Sequence, residues 1–341
     1  MRGRKFKHGH LEPGLTVSLS TDGTLQGVPF TDLILSSGLA WVKLKPAGNG
    51  LGSSDITGGM TPITSDFQED VEAIRNMIAA IRPGRYFTIR YEDMVFRGSR
   101  RETVDGEWYF LRRAVQGELP SLDMLGYHPM HVEALMNSKF VRGGLLLIGE
   151  PGSGKTTTAS AWIAARLRAY GGLAITLENP PELPLHGKHG SGMCVQVPVD
   201  DGDYAQACAQ VLRDGAANIV MLGEILDPSA AIQYLRTGMI GKIAVSTVHG
   251  PNLPLGLERL ADMVTSTSYG DRKGAFSLLA DALALVVHQR LETKPEGGSR
   301  LRAEMLLMTP EARTMVRSEN LAGLVNEIKR QAAMGRFGGA V

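Results

Sequence analysis

Residues 149–157 read GEPGSGKTT, a glycine-rich run that ends in a lysine and two threonines. Glycine adds no apolar surface to a core, so such a run is typical of a loop whose backbone approaches a ligand closely. The run satisfies the pattern G-x-x-x-x-G-K-[ST], in which backbone N–H groups cradle phosphates, the lysine reaches the β- and γ-phosphates and the hydroxyl reaches Mg²⁺. The sequence therefore predicts a site for a nucleotide and Mg²⁺. Its predicted binding residues are Gly149, Glu150, Pro151, Gly152, Ser153, Gly154, Lys155, Thr156 and Thr157.

Three later segments put ionisable side chains at the ends of apolar runs. Glu178 and Glu182 flank Asn-Pro-Pro in TLENPPEL, Glu224 ends NIVMLGE, and His249 ends KIAVSTVH. Open α/β sheets bind ligands at the carboxyl ends of their strands, where a carboxylate can orient and deprotonate an attacking water. Glu224 can reach Mg²⁺ through water or polarise the nucleophile. His249 can sense the γ-phosphate, although a lone histidine is more often structural.

The surrounding pattern predicts the elements that position these residues. The apolar run GLLLIG (144–149) reads as a buried strand before the glycine loop, and a helix follows the loop. Its predicted core face is formed by Ala159, Trp162, Ile163, Leu167 and Tyr170. Three more apolar runs, at 173–178, 218–224 and 242–249, alternate with helical segments, which is typical of an α/β fold with a parallel sheet.

Residues 15–115 show a different, antiparallel pattern and predict a small α+β domain with one helix. The predicted elements are a hairpin over 15–28, strands over 31–37 and 39–45, a helix over 65–81 with a capping box of Ser65 and Gln68, and strands over 86–114. We therefore expect a basic flexible tail over 1–14, this domain over 15–115, a linker over 116–122 and the α/β domain over 123–341.

Composition excludes several classes of protein. The 341 residues include 43% hydrophobic residues with a net charge of +1, which fits a chain with sizeable cores and does not favour nucleic acid as a direct ligand. No apolar run approaches the ~18 residues of a membrane span, and the two cysteines do not form a disulfide framework. We expect a cytoplasmic protein whose basic head is either a solvated terminus or a contact with an anionic surface.

Together the motifs resemble the secretion ATPase superfamily of type II and type IV systems. GEPGSGKTT is similar to its Walker A loop, TLENPPEL to its Asp box, the segment through NIVMLGEILD to its Walker B motif and GKIAVSTVHG to its His box. LLADALALVVHQRL is similar to the stretch that ends in Q-R-L, and FTDLILSSGLAWVKLKPAG to the N-terminal PAS-like domain. MTPEARTMVRSEN resembles a helix of retraction motors, which favours the pilus retraction and Dot/Icm-like branch.

This resemblance implies a RecA-like P-loop ATPase domain that follows a PAS-like α+β domain. It also implies a homohexamer that hydrolyses ATP with Mg²⁺ to power a type IV pilus or type IV secretion machine. The motor would act peripherally at the cytoplasmic face of the bacterial inner membrane, on a platform or secretion-channel protein. Extension motors often carry a four-cysteine zinc site, and two cysteines cannot form one.

Three positions depart from the family pattern. Asn179 replaces the Asp of the Asp box, Leu226 the Arg after Walker B, and Lys242 the first histidine of the His box. Asn179 cannot carry negative charge, so we expect Glu182 to be the general base and Glu224, with Thr156, to hold Mg²⁺.

Five arginines precede the linker, namely Arg97, Arg100, Arg101, Arg112 and Arg113. They form either a solvated strand edge or, as the resemblance implies, arginine fingers that reach a neighbouring subunit's phosphates. We assign that catalytic role to Arg112 and Arg113. His186 and His189 form H-x-x-H without a third ligand in sight, so a metal site there is not expected.

Two other functions remain open at this stage. A RecA-like nucleic-acid motor would need a basic or aromatic groove, whereas aromatic residues make up only 6% of the chain. A nucleotide-binding scaffold with little hydrolysis is suggested by Asn179 and Lys242.

Overall fold

The computed structural model describes residues 24–44, 59–63, 65–114, 119–199, 203–267, 271–293 and 299–334. The basic tail, most of the hairpin predicted over 15–28 and most of the glycine- and serine-rich segment 47–59 lie outside these residues. The chain divides into two compact units. Among the described residues, the first unit ends at Arg113 and the second begins at Ala114.

The first unit is a six-stranded antiparallel sheet with one helix. Its elements are β1 (Phe30–Leu35), β2 (Ala40–Leu44), β3 (Met60–Pro62), α1 (Gln68–Ile81), β4 (Tyr86–Tyr91), β5 (Met94–Thr103) and β6 (Gly106–Arg113). The strand order is β3-β2-β1-β6-β5-β4, and each neighbouring pair is antiparallel. The strands predicted over 31–37, 39–45 and 86–114 and the single helix are confirmed, whereas Leu25–Gly27, within the predicted hairpin, forms a 3₁₀ turn.

Helix α1 packs its apolar stripe against one face of this sheet. Val71, Ile74 and Ile78 recur at helical spacing, and all three are buried in a cluster with Phe30 and Phe96. The predicted capping box is wrong, because Ser65–Phe67 forms a 3₁₀ turn and no side chain caps the start of the α-helix.

The second unit is built on an eight-stranded sheet. Its strands are β7 (Gly143–Gly149), β8 (Gly172–Glu178), β9 (Gly187–His189), β10 (Gly192–Pro198), β11 (Ile219–Leu222), β12 (Ile243–His249), β13 (Leu283–Thr293) and β14 (Ser299–Leu307). Its helices are α2 (Pro129–Leu135), α3 (Lys155–Tyr170), α4 (Tyr204–Asp214), α5 (Pro228–Met239), α6 (Leu253–Thr265), α7 (Arg272–Ala282), α8 (Pro310–Arg317) and α9 (Leu321–Met334). A 3₁₀ turn over Leu122–Leu125 precedes α2.

The centre of this sheet is parallel, as the alternating pattern predicts. The strand order is β14-β13-β7-β12-β11-β8-β10-β9, and only the outermost pairs, β13 with β14 and β9 with β10, are antiparallel. The four predicted strands correspond to β7, β8, β11 and β12. The predicted α/β fold class is therefore confirmed.

Strand β7 is buried on both faces, which explains its unbroken apolar run. Leu146 and Ile148 belong to the core shared with α5, α6 and α7, whereas Leu145 and Leu147 belong to the core shared with α3. Helix α3 is buried on more than one side, and Tyr170 is 49% exposed, so its predicted place on the core face is wrong. Within the described residues, no helix is both long and apolar enough to span a membrane.

Candidate nucleotide site

The glycine-rich run connects β7 to α3 at the carboxyl edge of the sheet. Gly154 precedes the helix with φ +84°, a conformation that side chains disfavour. A Cβ on Gly149 would lie 2.4 Å from the Gln289 carbonyl oxygen and 2.5 Å from Ser153 Oγ, so only glycine fits there. Ser153 Oγ is buried and has no hydrogen-bond partner among the described residues. A loop of this kind offers N–H groups at a helix N-terminus, which is where phosphate binds.

Lys155 begins α3 and is only 6% exposed. Its Nζ donates to the carbonyl oxygens of Gly149 at 2.9 Å and Glu150 at 3.0 Å, and lies 3.4 Å from His249 Nδ1. Burial lowers the pKa of Lys155, and the Glu224 carboxylate opposes that shift. The ammonium group is therefore held inside the loop, where a phosphate chain would bind.

His249 links Lys155 to Glu224. His249 Nε2 lies 2.6 Å from Glu224 Oε1, and both side chains are about one third exposed. Because Lys155 can only donate, Nδ1 accepts from it and the ring proton lies on Nε2, which donates to Glu224. Strands β11 and β12 are parallel neighbours, and Thr247 Oγ1 donates to the Gly223 carbonyl at 3.1 Å. The two strand ends thus hold an acid and an imidazole beside the lysine.

Glu178 ends β8 and is 3% exposed, whereas Glu182 is exposed. The Glu178 carboxylate accepts from Thr176 Oγ1 at 2.6 Å, from Gln196 Nε2 at 2.9 Å and from the backbone of Glu182. Burial raises the pKa of Glu178 despite these bonds. A Cβ on Gly223 would lie 3.3 Å from Glu178 Cγ, so the Glu178 side chain lies close to the residue before Glu224.

Two of the three departures from the family pattern lie outside this cluster. Leu226 is 63% exposed, and the neighbouring Asp227 caps α5 through the N–H groups of Ser229 and Ala230. Lys242 precedes β12, so it lies at the opposite end of that strand from His249. Its Nζ donates to the carbonyls of Gly215 and Ala217.

Arg112 and Arg113 end β6 in the first unit. Arg113 donates to the carbonyl oxygens of Gln26 and Val28, each at 3.0 Å, and its guanidinium lies 5.1 Å from the centre of the Phe30 ring. Arg112 pairs with Asp32 at 2.9 Å and stays 63% exposed. Arg113 thus binds backbone within its own unit, while Arg112 presents its guanidinium at the surface.

The histidines of the H-x-x-H segment contact backbone. His186 Nδ1 accepts from the Gln196 N–H at 3.2 Å, and His189 Nε2 lies 2.8 Å from the Leu185 carbonyl oxygen. The described part of the chain contains no group of three or more His, Cys, Asp or Glu side chains that could hold a metal ion.

Comparison with known proteins identifies the class to which this fold and loop belong. The model of the type II/IV secretion system protein family matches residues 85–333. The chain therefore belongs to the type II/IV secretion system protein family, and the predicted superfamily is confirmed.

Particular members of the family are similar to this chain. The type IV pilus ATPase PilU of Pseudomonas aeruginosa is 28% identical over 228 residues, which cover 65% of this chain and 57% of PilU. The match thus spans little more than half of that relative's length.

Two solved structures share the fold. One is the pilus retraction motor PilT with bound ADP, with a TM-score of 0.69, 21% identity, and coverage of 88% of this chain and 86% of that one. The other is the Legionella pneumophila ATPase DotB, with a TM-score of 0.66, 16% identity, and coverage of 88% and 84%. At these identities the likeness establishes the fold.

Sequence motifs predict Lys155, Glu182, Glu224 and His249. The structure brings Lys155, His249 and Glu224 together and places Glu178, rather than the exposed Glu182, close to the residue before Glu224. The motifs do not identify the side chains that support these residues. Gln196 binds Glu178, and Gln289 contacts the loop through Ser153, where its Nε2 donates to the carbonyl oxygen at 2.6 Å. Gln289 is the glutamine of the Q-R-L stretch, to which the sequence analysis assigns no role, and Gln196 lies outside the quoted motifs.

Proposed function

We propose that this protein binds ATP at the loop 149–157 and hydrolyses it with Mg²⁺. The main support for this proposal is that Lys155 contacts His249, and His249 in turn contacts Glu224, beside a loop of the phosphate-binding type. A buried cation, an imidazole and a carboxylate meet where a γ-phosphate and its attacking water would lie.

Each side chain has a distinct proposed role. Lys155 binds the β- and γ-phosphates, and release of its proton is disfavoured once those charges are beside it. Thr156, the second residue of α3, and Glu224 supply the oxygen ligands that Mg²⁺ prefers. Bound Mg²⁺ would neutralise phosphate charge. His249 holds Glu224 and is released from Lys155 when phosphate takes that contact.

The general base is one of two carboxylates. Glu182 is the residue predicted from the sequence, and its side chain is exposed to water. Glu178 ends β8 close to Gly223, the residue before Glu224, and its raised pKa suits a group that must accept a proton near neutral pH. We keep both as candidates, and matched glutamine substitutions separate them.

The machine that the ATPase serves is proposed from its relatives. PilU and PilT are named as pilus ATPases, and DotB as an ATPase. We propose a homohexamer at the cytoplasmic face of the bacterial inner membrane, which drives a type IV pilus or type IV secretion machine through a platform or channel protein. In such a ring Arg112, which stays exposed, is the better candidate for an arginine finger than Arg113.

Turnover of the purified chain tests this function. We expect ATP hydrolysis that requires Mg²⁺ and falls at least about 100-fold in Glu224→Gln. Glu258→Gln is the matched control, because Glu258 is similarly exposed and pairs with Arg272 at 2.8 Å away from the loop. ATP binding without turnover in the unaltered chain would instead support the scaffold function. Equal turnover in both variants would contradict the assignment of Glu224.

A further inference from the structure

A buried hydrogen-bond chain runs behind the phosphate loop. Tyr127 Oη donates to Gln289 Oε1 at 2.6 Å, and Gln289 Nε2 donates to the Ser153 carbonyl oxygen at 2.6 Å. Tyr127 is 7% exposed and Gln289 is 1% exposed. Because water is excluded from both bonds, each is stronger than its exposed equivalent and costly to leave unmade.

The orientation of the Gln289 amide follows from its partners. A backbone carbonyl can only accept, so the NH₂ group must face Ser153 and the amide oxygen must face Tyr127. Burial raises the pKa of Tyr127, so its hydroxyl keeps a proton to donate. Neither bond can therefore reverse unless the other breaks.

These hydrogen bonds fix the orientation of one peptide group of the loop. The Ser153–Gly154 peptide is trans, so its C=O and N–H point in opposite directions. With the Ser153 oxygen bound to Gln289, the Gly154 N–H points away from β13. Rotation of this peptide is otherwise easy, because Gly154 has no Cβ to restrict it. Gln289 therefore orients an N–H group that a phosphate loop uses to bind its ligand.

Tyr127 connects this peptide to a distant part of the chain. It lies between the 3₁₀ turn Leu122–Leu125 and α2, near the start of the second unit. Its ring packs edge-on against His131, with ring centres 6.3 Å apart. Tyr127 thus connects the short segment between the 3₁₀ turn and α2 to the phosphate loop through Gln289.

We propose that Gln289 and Tyr127 are positioning residues that hold the Ser153–Gly154 peptide in its phosphate-binding orientation, so that both side chains contribute to nucleotide affinity. This inference rests on the proposed function, because it concerns how the same loop binds nucleotide. The Tyr127 hydroxyl also lies 3.5 Å from Thr158 Oγ1 in α3, a much longer contact than its 2.6 Å bond to Gln289. Removing the hydroxyl after the amide is gone should therefore change affinity little further.

The test measures ADP affinity by calorimetry, with folding followed by circular dichroism. Gln289→Met keeps the side-chain length and removes both hydrogen bonds, and we expect affinity to fall about tenfold. Tyr127→Phe removes one hydroxyl and keeps the ring, so we expect a fall of about threefold and an intact fold. The double variant should match Gln289→Met alone.

Gln331→Met is the matched control. Gln331 is also 1% exposed, and its amide binds both backbone groups of Leu307 in β14, away from the loop. We expect this variant to lose thermal stability and keep its ADP affinity. Absence of ADP binding in the unaltered chain would overturn the proposed function and this inference together. If the unaltered chain binds ADP, unchanged affinity in folded Tyr127→Phe and Gln289→Met, or additive losses in the double variant, would overturn the positioning role alone.

Discussion

Two lysines of the second unit make nearly the same hydrogen bonds at opposite ends of the parallel strands of one sheet. Lys155 donates to the carbonyls of Gly149 and Glu150, and Lys242 donates to those of Gly215 and Ala217. Lys242 lies at the C-terminal end of α4, where a cation is favoured by the unpaired carbonyls and the helix dipole. Lys155 lies at the N-terminal end of α3, where the same dipole disfavours it.

The two locations distinguish a lysine with a structural role from a lysine with a ligand-binding role. The charge of Lys242 is stabilised by the fold itself. Lys155 lies at a helix end that disfavours its charge. Burial lowers its pKa, and the Glu224 carboxylate offsets that shift only in part. An anionic ligand would remove this mismatch. Hydrogen-bond pattern alone does not reveal a site, whereas an unfavourable location for a charge does.

The two arginines at the end of β6 extend this comparison, and we expect the largest effect on ATP turnover there. If Arg112 completes a neighbour's site, Arg112→Ala should lower turnover by about 10³-fold or more and leave the thermal stability nearly unchanged. Arg113→Ala should instead lower the free energy of unfolding by about 1.5–3 kcal/mol, since its guanidinium binds two carbonyls. ATP turnover and thermal unfolding of both variants test these two expectations. Full activity of Arg112→Ala would contradict a role for Arg112 in the active site.

Glu178, at the end of β8, and Glu182, after it, are expected to give the next largest effect on turnover. Replacing the general base with glutamine should slow turnover by about 10²–10⁴-fold with little change in ATP affinity. Glu178→Gln and Glu182→Gln are matched substitutions, compared by single-turnover rates and ATP binding. The slower variant identifies the base. Similar, near-normal rates in both would show that neither carboxylate abstracts the proton.

A buried tyrosine near the start of β7 is expected to give the smallest effect, a change in the free energy of unfolding. Tyr234 is fully buried, and its hydroxyl has no hydrogen-bond partner among the described residues. A Cβ on Gly144 would lie 2.6 Å from that hydroxyl, so it faces the start of β7. Tyr234→Phe should raise the free energy of unfolding by about 1 kcal/mol and leave turnover unchanged. A loss of stability in chemical denaturation would contradict this.

Much of the fold could be predicted because its central strands carry strong local signals. Strands β7, β8, β11 and β12 are short apolar runs, and parallel burial on both faces produces such runs. Strand β13 was missed because α7 ends at Ala282 and the strand begins at Leu283, with no turn residue between them. Strand β10 lies near the edge of the sheet, and its sequence GMCVQVP lacks a continuous apolar run.

The candidate site shows the same limit. Lys155, Glu224 and His249 were predicted because each follows a recognisable strand. Tyr127 and Gln289 are 162 residues apart, and a buried polar pair leaves no periodic signal in a sequence. In the sequence, Lys242 is a departure that bears on hydrolysis, and the topology shows that it lies at the other end of β12 from His249.

The most direct test compares the two lysines. Lys155→Ala and Lys242→Ala each remove one ammonium group that binds two carbonyls, and both are assayed for steady-state ATP turnover and thermal unfolding. We predict that Lys155→Ala abolishes turnover and remains folded, while Lys242→Ala loses some stability and keeps turnover within about twofold of the unaltered chain. Near-normal turnover in folded Lys155→Ala would contradict the assignment of this loop as the site of ATP hydrolysis.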